Sequence, residues 1–318
     1  MKRLPWLSVL MPIYNGGAYL RFALDSIALQ SDPDIECIAV NGDSTDNTLS
    51  ILQEYQRVLS IKILKSARQT NWVEKTNLAL SYAQGEYACF LHHDDVWFEN
   101  RAITMKRLTR EFPEASLILH PSVFLGRTGK RVGPWKCPLP PYPKLIEPTL
   151  MLGRLLVQNF ISIVGPVFKR RIALALGGLE ESFWYTADWD FWLKIAGTGY
   201  SLYYPTPLSG FRIHPSSQTF VGSAALDDFK NQHLTVAQKH LSLWDASDTE
   251  REKVKRLSDF STEVNTTLAG LAHGHNADLR RLLAGLVKLG PKSATQYLMY
   301  SRIWERASAR ALAAAGGY

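Results

Sequence analysis

The sequence predicts an α/β fold in which a mostly parallel, Rossmann-like sheet carries helices on both faces. Short apolar stretches at residues 7–11, 35–40, 61–64 and 87–91 have the length of buried strands, and helical periodicity fills the segments between them. This alternation of strand and helix is typical of a parallel sheet. Because the carboxyl ends of parallel strands meet at one edge, the polar residues that follow these strands are expected to line one crevice.

The helices between and after these strands begin or end at recognisable turn and cap signals. Asn15-Gly16-Gly17 is a turn before the first helix, and Pro12 is expected to break the strand ahead of it. Ser44–Asp46 supply cap residues for the second helix, and Gly85 closes the third. The helices are predicted at residues 18–29, 47–58, 72–84 and 99–112.

The regular alternation ends at Pro113. A strand is predicted at 117–124, and the proline-rich segment 126–148 is predicted to be a long loop, either an acceptor-side flap or a plain surface excursion. Later elements are a helix at 149–158, an extended segment at 162–168, a helix opened by Asp188 and a strand at 200–204. From about Leu226 the chain is helical in pattern. We therefore predict an α/β domain at 1–225 and a C-terminal helical region at 226–318.

Composition indicates a globular protein of a reducing compartment. Of the 318 residues, 46% are apolar and 20% charged, which suits a large core. The 3 cysteines have no metal-ligand spacing, and Cys37 and Cys89 fall inside predicted strands, so we expect reduced thiols and a cytoplasmic location. Pro5 and Trp6 interrupt any signal peptide, and no apolar run reaches the roughly 18 residues of a membrane-spanning helix.

The net charge of +7 is concentrated near the carboxyl end. The apolar stripe Leu279-Leu282-Leu283-Leu286 lies beside Arg280 and Arg281, and further basic residues follow. Basic amphipathic helices bind anionic surfaces, so we expect peripheral contact with the inner face of a membrane, or a polyanionic acceptor. A solvated helix face, a helical cap on the sheet and a dimer contact remain alternatives. No nucleic-acid motif accompanies the charge. The basic residues of this region are Arg280, Arg281, Lys288, Lys292, Arg302, Arg306 and Arg310, against one acid, Glu305.

Two adjacent carboxylates, Asp94 and Asp95, follow the fourth strand directly. Like charges at this spacing repel unless one carboxyl group is protonated or a cation lies between them. Carboxylate oxygens hold hard divalent cations, which in turn bind diphosphates. The sequence therefore indicates a metal site, with the alternative that the pair caps the helix beginning near Glu99.

Four separated segments together match one pattern. They are Pro12-Ile13-Tyr14-Asn15, the segment Asp43–Thr48, His93-Asp94-Asp95 and the segment Ala187–Lys194. In this order and spacing the chain resembles the family 2 glycosyltransferases, which are inverting enzymes with a GT-A fold. The resemblance covers about residues 5–220, and it implies that the predicted sheet is a GT-A fold.

The resemblance implies a pocket for a nucleotide-sugar donor. Pro12, Tyr14 and Asn15 would line this pocket, with Tyr14 near the base. Asn41 stands where the family usually has an aspartate that accepts a hydrogen bond from the base, and Asp43 follows on the same loop. An amide oxygen is also an acceptor, so Asn41 can take over that task.

The resemblance also implies the groups around the diphosphate and the acceptor. Lys75 lies where the family often has a basic residue near the diphosphate. Asp94 would meet the ribose or the metal, and Asp95 would be the main ligand of Mn²⁺ or Mg²⁺. His214, in a Phe-Arg-Ile-His-Pro motif, would close over the diphosphate and ligate the metal. Asp188 would be the catalytic base.

Each of these assignments has a purely structural alternative. Asp188 and Asp190 stand where an N-cap would serve the helix they open, and Lys75 fits a solvated helix face. His214 precedes a proline and fits an ordinary turn. His92 is expected to flank the site as a hydrogen-bonded neighbour of the ligands rather than to ligate a metal.

The predicted function is metal-dependent, inverting transfer of a sugar from a UDP-, GDP- or dTDP-sugar. The acceptor would be a hydroxyl of a saccharide or lipid-linked glycan, in polysaccharide or glycan biosynthesis. The acidic pair and the distant Asp188 suit a single displacement, with metal and base on opposite sides. Trp184 is the aromatic candidate for acceptor contact, whereas Trp192 is expected in the core.

Two other functions remain open. A sugar-nucleotide nucleotidyltransferase needs a basic, glycine-rich phosphate loop after the first strand, but no Lys or Arg occurs there before Arg21. A non-catalytic binding module is suggested by three departures from the family pattern, at Asn41, His92 and Ala187, each of which removes an acidic residue.

Overall fold

The computed structural model describes residues 4–214, 217, 221–276 and 278–314. In this part of the chain the strands are β1 (Leu7–Ile13), β2 (Ile35–Asn41), β3 (Ser60–Lys65), β4 (Tyr87–Phe90), β5 (Val96–Trp97), β6 (Leu117–Leu119), β7 (Ser122–Leu125), β8 (Arg131–Trp135), β9 (Lys144–Ile146), β10 (Val167–Lys169), β11 (Ser201–Tyr203) and β12 (Ser209–Arg212). The helices are α1 (Leu20–Ala28), α2 (Thr48–Tyr55), α3 (Trp72–Tyr82), α4 (Arg101–Glu111), α5 (Pro148–Val157), α6 (Arg170–Ala175), α7 (Ala187–Gly197), α8 (Leu226–Leu243), α9 (Asp248–Ala272), α10 (Leu279–Leu289), α11 (Pro291–Ser301) and α12 (Ile303–Ala314).

The larger sheet confirms the predicted mostly parallel α/β architecture. Its strand order, within the described residues, is β3-β2-β1-β4-β10-β6-β11-β9. The four strands β3, β2, β1 and β4 are parallel, and β10 runs antiparallel between β4 and β6. The carboxyl ends of β1, β2 and β4 therefore lie at one edge, as predicted.

Helices cover both faces of this sheet, and a separate hydrophobic core lies on each face. One core combines Val9 of β1 with Leu24 of α1, and the other combines Leu10 of β1 with Val73 of α3. Adjacent residues of β1 thus enter opposite cores, which follows from the two-residue period of a strand. Trp192 of α7 is fully buried in the second core, as the sequence predicted.

The first strand is longer than predicted, because Pro12 lies inside β1 instead of ending it. Pro12 pairs with Val40 of β2, whereas pairing with β4 stops at Leu10 and Phe90. Alternate residues of a strand direct their backbone groups to opposite neighbours, so the missing N–H of Pro12 faces the side on which β4 has already ended. The proline costs no hydrogen bond of the parallel ladder.

A second sheet, of strand order β5-β12-β7-β8, was not predicted. The strand predicted at 117–124 is in fact two strands, β6 and β7, which part at His120-Pro121 and join different sheets. The predicted long loop 126–148 is also wrong, since it contains β8 and β9. Gly129 lies in the turn between β7 and β8 with a φ of 88°. Pro134 is tolerated in β8 because that strand is at the sheet edge.

The C-terminal helices pack against the sheet domain through a buried carboxylate. Asp190 of α7 is fully buried and accepts hydrogen bonds from Lys239 at 2.9 Å and His240 at 2.8 Å, both on α8. Lys194 lies 3.0 Å from its other oxygen. The suggestion that Asp190 caps the helix is therefore wrong, since Thr186 occupies the N-cap position. The division of the chain at residue 225 stays a prediction.

Membrane-spanning helices are absent from the described part of the chain, where every helix is too short or too polar to cross a bilayer. Cys37 and Cys89 are buried thiols in β2 and β4, as the sequence predicted.

Candidate active site

The acidic loop, which is His92–Asp95, begins where β4 ends. The Leu91 N–H still donates to Leu10 of β1, and a turn between His92 and Asp95 then leads into β5. The following helix, α4, starts only at Arg101 with Asn100 as its N-cap residue. Asp94 and Asp95 thus lie too far ahead of the helix to cap it, and the capping alternative is wrong.

Asp95 has one satisfied and one unsatisfied carboxylate oxygen. The residue is 1% exposed, and its Oδ1 accepts the backbone N–H of Arg212 at 2.9 Å. Its Oδ2 is buried without a hydrogen-bond partner among the described residues. Burial and the neighbouring Asp94 charge raise the pKa of Asp95 well above its ordinary value. A cation bound at this point would satisfy the oxygen and relieve the repulsion.

The residues around Asp95 fit such a cation. One ligand atom from each of His92, Asp94 and Asp95 lies within 4.8 Å of the others. The Nε2 atom of His92 is also buried without a partner in the described chain. Burial lowers the pKa of His92 to about 4, so the ring is neutral near pH 7, as metal ligation requires. His92 is therefore a better candidate ligand than the sequence indicated.

His214 contacts Asp94 rather than joining this cluster. Its Nε2 lies 3.0 Å from Asp94 Oδ2, and its ring packs 5.0 Å from the ring of Tyr19. Burial opposes ionisation of Asp94, but the hydrogen bond with His214 and the nearby histidines prevail, so the pKa of Asp94 lies below its ordinary value. Metal ligation by His214 stays a prediction. Pro215, the last residue of the predicted motif, lies outside the described residues.

Arg212 fixes the acidic loop to the second sheet, and sequence reasoning missed it. Its Nε donates to the Asp94 carbonyl at 2.8 Å, and its Nη1 donates to the Gly126 carbonyl at 3.0 Å. The guanidinium lies 4.8 Å from the centre of the Tyr19 ring. Three elements thus meet at one buried arginine, which stands two residues before His214 in the predicted motif.

The loops after β1 and β2 are locked together by side-chain hydrogen bonds. Asn15 Oδ1 accepts the Thr45 N–H at 2.9 Å, and the Asn15 N–H donates to Ser44 Oγ at 2.9 Å. Asp46 Oδ2 accepts the Gly17 N–H at 2.8 Å. Asn15 and Asp43 both adopt positive φ angles, 47° and 58°. Asn15 therefore holds the neighbouring loop in place, and the nucleotide contact assigned to Asp43 stays a prediction.

The side-chain oxygen of Asn41 is engaged within its own loop, and contact of Asn41 with the base stays a prediction. Its Oδ1 accepts the Ser44 hydroxyl at 2.6 Å and the Ser44 N–H at 3.2 Å. The backbone donor therefore sets the amide orientation, with Oδ1 toward Ser44.

Lys75 lies buried beneath the same loops. The residue is 4% exposed, and its Nζ lies 5.4 Å from the centre of the Tyr14 ring. Lys75 forms no ion pair with any described residue, and burial lowers its pKa from the ordinary value. The solvated-helix alternative is wrong, because the side chain is buried. A buried cation that forms no ion pair favours an anionic ligand. Tyr14 is held from the other side by Arg68, whose Nε donates to the hydroxyl at 2.9 Å.

Asp188 lies on a separate element, α7. It lies in the first turn of α7, two residues after the N-cap Thr186, so it does not cap the helix. Its Oδ2 accepts the Asn159 Nδ2 at 3.0 Å, and Asn159 Oδ1 accepts the Ile161 N–H at 3.2 Å. The second bond fixes which end of the amide faces Asp188. Asn159 carries no sequence signal of its own and was missed.

Trp184 is engaged by neighbours on both sides. Its carbonyl accepts the Trp72 indole N–H at 2.6 Å, and its own indole donates to Asp228 at 2.7 Å. The Trp72 ring in turn packs 5.5 Å from the His92 ring. Trp72 thereby connects the Trp184 loop to His92, the candidate metal ligand. Acceptor contact by Trp184 stays a prediction.

Comparison with known sequences relates this chain to glycosyltransferases. Residues 8–127 match the family model for Glycosyl transferase family 2. An uncharacterized glycosyltransferase of Rickettsia typhi is 23% identical over 237 residues, which cover 71% of this chain and 70% of that protein. The poly(ribitol-phosphate) beta-N-acetylglucosaminyltransferase TarS of Staphylococcus aureus is 35% identical over 91 residues, covering 28% of this chain and 16% of TarS.

Solved structures extend the likeness to nearly the whole described fold. S. aureus TarS 1-349 in complex with UDP-GlcNAc matches with a TM-score of 0.66 at 15% identity, covering 98% of this chain and 92% of that one. The mannosyltransferase PcManGT from Pyrobaculum calidifontis, in complex with GDP-Man and Mn²⁺, matches with a TM-score of 0.57 at 16% identity, covering 99% and 87%. At these identities the likeness establishes the shared GT-A fold.

Proposed function

We propose that this chain, whose residues 8–127 match the glycosyl transferase family 2 model, is a metal-dependent, inverting enzyme that moves a sugar from a nucleotide-sugar donor to an acceptor hydroxyl. The observation that carries this proposal is the buried, unsatisfied Oδ2 of Asp95 beside Asp94 and His92, at the carboxyl ends of the parallel strands. An acidic cluster there, and an acid on a separate helix, are the two parts that a single displacement needs.

The metal would be held by His92, Asp94 and Asp95. Their ligand atoms lie close enough to share one ion, and the two carboxylates suit Mn²⁺ or Mg²⁺, with the imidazole nitrogen favouring Mn²⁺. A bound divalent ion would neutralise the charge that develops on the departing diphosphate. His214 would orient Asp94 through its hydrogen bond, and it is proposed as a further ligand only when donor is present.

The donor would lie over the loops that follow β1 and β2. Lys75, which forms no ion pair with any described residue, would contact the diphosphate, and Pro12, Tyr14 and Asp43 would line the nucleotide side. Asn41 Nδ2 would donate to a carbonyl oxygen of the base. Uracil, thymine and guanine all have such an oxygen. TarS was solved with UDP-GlcNAc and PcManGT with GDP-Man, so both uridine and guanosine donors are carried by this fold.

Asp188 would act as the general base. As the acceptor oxygen attacks the anomeric carbon, its proton passes to the Asp188 carboxylate, and the bond from that carbon to the diphosphate oxygen breaks. The electron pair leaves with the nucleoside diphosphate, and the configuration inverts. Asn159 holds Asp188 Oδ2 by a hydrogen bond, which leaves the carboxylate oriented before the acceptor arrives.

The acceptor is proposed to be a saccharide or lipid-linked glycan in polysaccharide biosynthesis. The name of TarS describes transfer onto poly(ribitol-phosphate), which supports a polymeric, hydroxyl-rich acceptor. The Trp184 loop, linked through Trp72 to His92, is the proposed acceptor side.

Calorimetry with UDP, GDP and dTDP, each with and without Mn²⁺, tests the donor half of this proposal. We expect one nucleotide to bind tightly and only with metal. Asp95→Asn should abolish the metal-dependent part, whereas Asp188→Asn should bind nucleotide like the wild type. Equal binding with and without Mn²⁺ would contradict the metal site, and binding of no nucleotide would favour a non-catalytic module.

A further inference from the structure

The outer side of α10 carries an apolar stripe that the protein leaves uncovered. Leu279, Leu283 and Val287 recur every four residues and so lie along one side of the helix. Their side chains are 58%, 64% and 78% exposed. Leu282 and Leu286, on the adjacent side, are partly buried against the core. The apolar surface of α10 is therefore wider than the part that docks the helix on the protein.

The same segment is strongly basic. Residues 279–304 contain five Lys or Arg residues and no Asp or Glu. Arg281 pairs with Glu263 at 2.9 Å. Arg280, Lys288 and Lys292 are exposed and form no ion pair with any described residue. The acids nearest to these cations are engaged by Arg281: Asp278 accepts its backbone N–H at 3.1 Å, and Glu263 pairs with its guanidinium.

We propose that α10 binds the surface of an anionic lipid bilayer. The stripe Leu279-Leu283-Val287 would enter the boundary between headgroups and acyl chains, and Arg280 would contact lipid phosphates at its border. Lys288 lies 100° further around the helix than Val287, and its long side chain would reach the headgroups from the water side. At 100° per residue, Arg280 lies directly beside Val287 around the helix, at the border of the stripe. An apolar side flanked by basic residues is the pattern of helices that lie in the membrane interface.

Charge complementarity favours a bilayer over a second copy of the chain. A symmetric contact through α10 would place Arg280 and Lys288 of one copy near the same residues of the other. Since residues 279–304 hold no acid, neither copy would supply a counter-charge within this segment. An anionic bilayer supplies phosphates along the whole length of the helix.

Sedimentation of the full chain with vesicles of equimolar phosphatidylcholine and phosphatidylglycerol tests the proposal. We expect binding that weakens as salt rises and that is lost with phosphatidylcholine alone. The double variant Arg280→Glu, Lys288→Glu should bind at least about tenfold more weakly. Leu283→Ser with Val287→Ser should weaken binding without any change of charge.

Matched variants elsewhere on the protein control for general effects of changing surface charge or removing exposed apolar side chains. Arg57→Glu with Arg110→Glu makes the same charge change at exposed sites on the sheet domain. Val58→Ser with Ile103→Ser removes two side chains that are each 68% exposed. Both control pairs should leave vesicle binding unchanged.

Three results would overturn the proposal. They are no binding to anionic vesicles, equal losses from the control pairs, and a dimer in lipid-free light scattering that Leu283→Ser with Val287→Ser dissociates. The last result would assign the stripe to a second copy. Nucleotide calorimetry should be the same for all these variants, so failure here is distinguishable from failure of the proposed chemistry.

Discussion

Replacing Gly42 by alanine tests whether the position of Lys75 governs donor binding. A Cβ at residue 42 would lie 2.3 Å from Lys75 Nζ and 2.4 Å from Lys75 Cε. Contacts this short require the ammonium group to move. The nearest backbone atom, the Ile13 carbonyl oxygen, lies 3.3 Å away, so the loop itself has little need to shift.

The expected loss is that of one charge-assisted interaction with the diphosphate. Such interactions contribute about 1.5–3 kcal/mol, so Gly42→Ala should raise the Kd for the nucleoside diphosphate by roughly ten- to 150-fold. The free energy of unfolding should change by less than about 1 kcal/mol, because only the end of a flexible side chain moves. Lys75 also has no ionic partner in the described chain that its displacement would leave unpaired.

Calorimetry on Gly42→Ala, Lys75→Met and the double variant provides the assay, with urea denaturation as the control for folding. If the alanine acts through Lys75, the double variant should bind no more weakly than Lys75→Met alone. Additive losses, or wild-type affinity in Gly42→Ala, would refute the role assigned to Lys75.

Three further outcomes follow from buried polar contacts. Asn159→Ala should lower kcat about ten- to a hundredfold with the donor KM unchanged, because Asn159 contacts Asp188 and not the donor loops; a rise in donor KM alone would contradict this. Asp190→Asn should cost about 3–5 kcal/mol in urea denaturation, because it breaks a buried charge cluster. Burial opposes ionisation of Asp190, but the bonds from His240 and the lysines hold its pKa below the ordinary value. The stability that Asp190 contributes is therefore present above about pH 4 and is lost in stronger acid. A difference in unfolding free energy between wild type and Asp190→Asn that persists in strong acid would contradict this. Lys75→Met should stabilise the ligand-free protein at neutral pH, because burial lowers the pKa of Lys75, and the gain should shrink as pH rises toward 10.5; a gain that is constant with pH would argue against a buried cation.

The elements that the sequence predicted well are those encoded by local pattern. β1, β2 and β4 are apolar runs of strand length, and α3 has Asn71 as its N-cap residue, whose side chain forms a capping box with Glu74. The acidic loop was found because two carboxylates directly follow a strand. In each case residues close in the chain carried the whole signal.

What the sequence did not predict depends on contacts between distant segments. The bond from Arg212 to the Asp94 carbonyl joins residues 118 positions apart, and that from Asn159 to Asp188 joins residues 29 apart. β12 is only four residues long, and its partner strand β7 was predicted as part of a single strand at 117–124. In the sequence, His92 was interpreted only as a departure from the family pattern that removes an acidic residue. The sequence does not show that its Nε2 is buried beside the carboxylates.

Sugar transfer by wild-type protein and Asp188→Asn, with the product anomer assigned by NMR, tests the central claim most directly. The donor is the sugar nucleotide whose diphosphate binds with Mn²⁺, offered with a panel of saccharide and lipid-linked acceptors. We expect inversion at the anomeric carbon and a roughly 10²–10⁴-fold loss of rate in Asp188→Asn with nucleotide affinity unchanged. Retained configuration, or an undiminished rate in Asp188→Asn, would contradict an inverting displacement with Asp188 as its base.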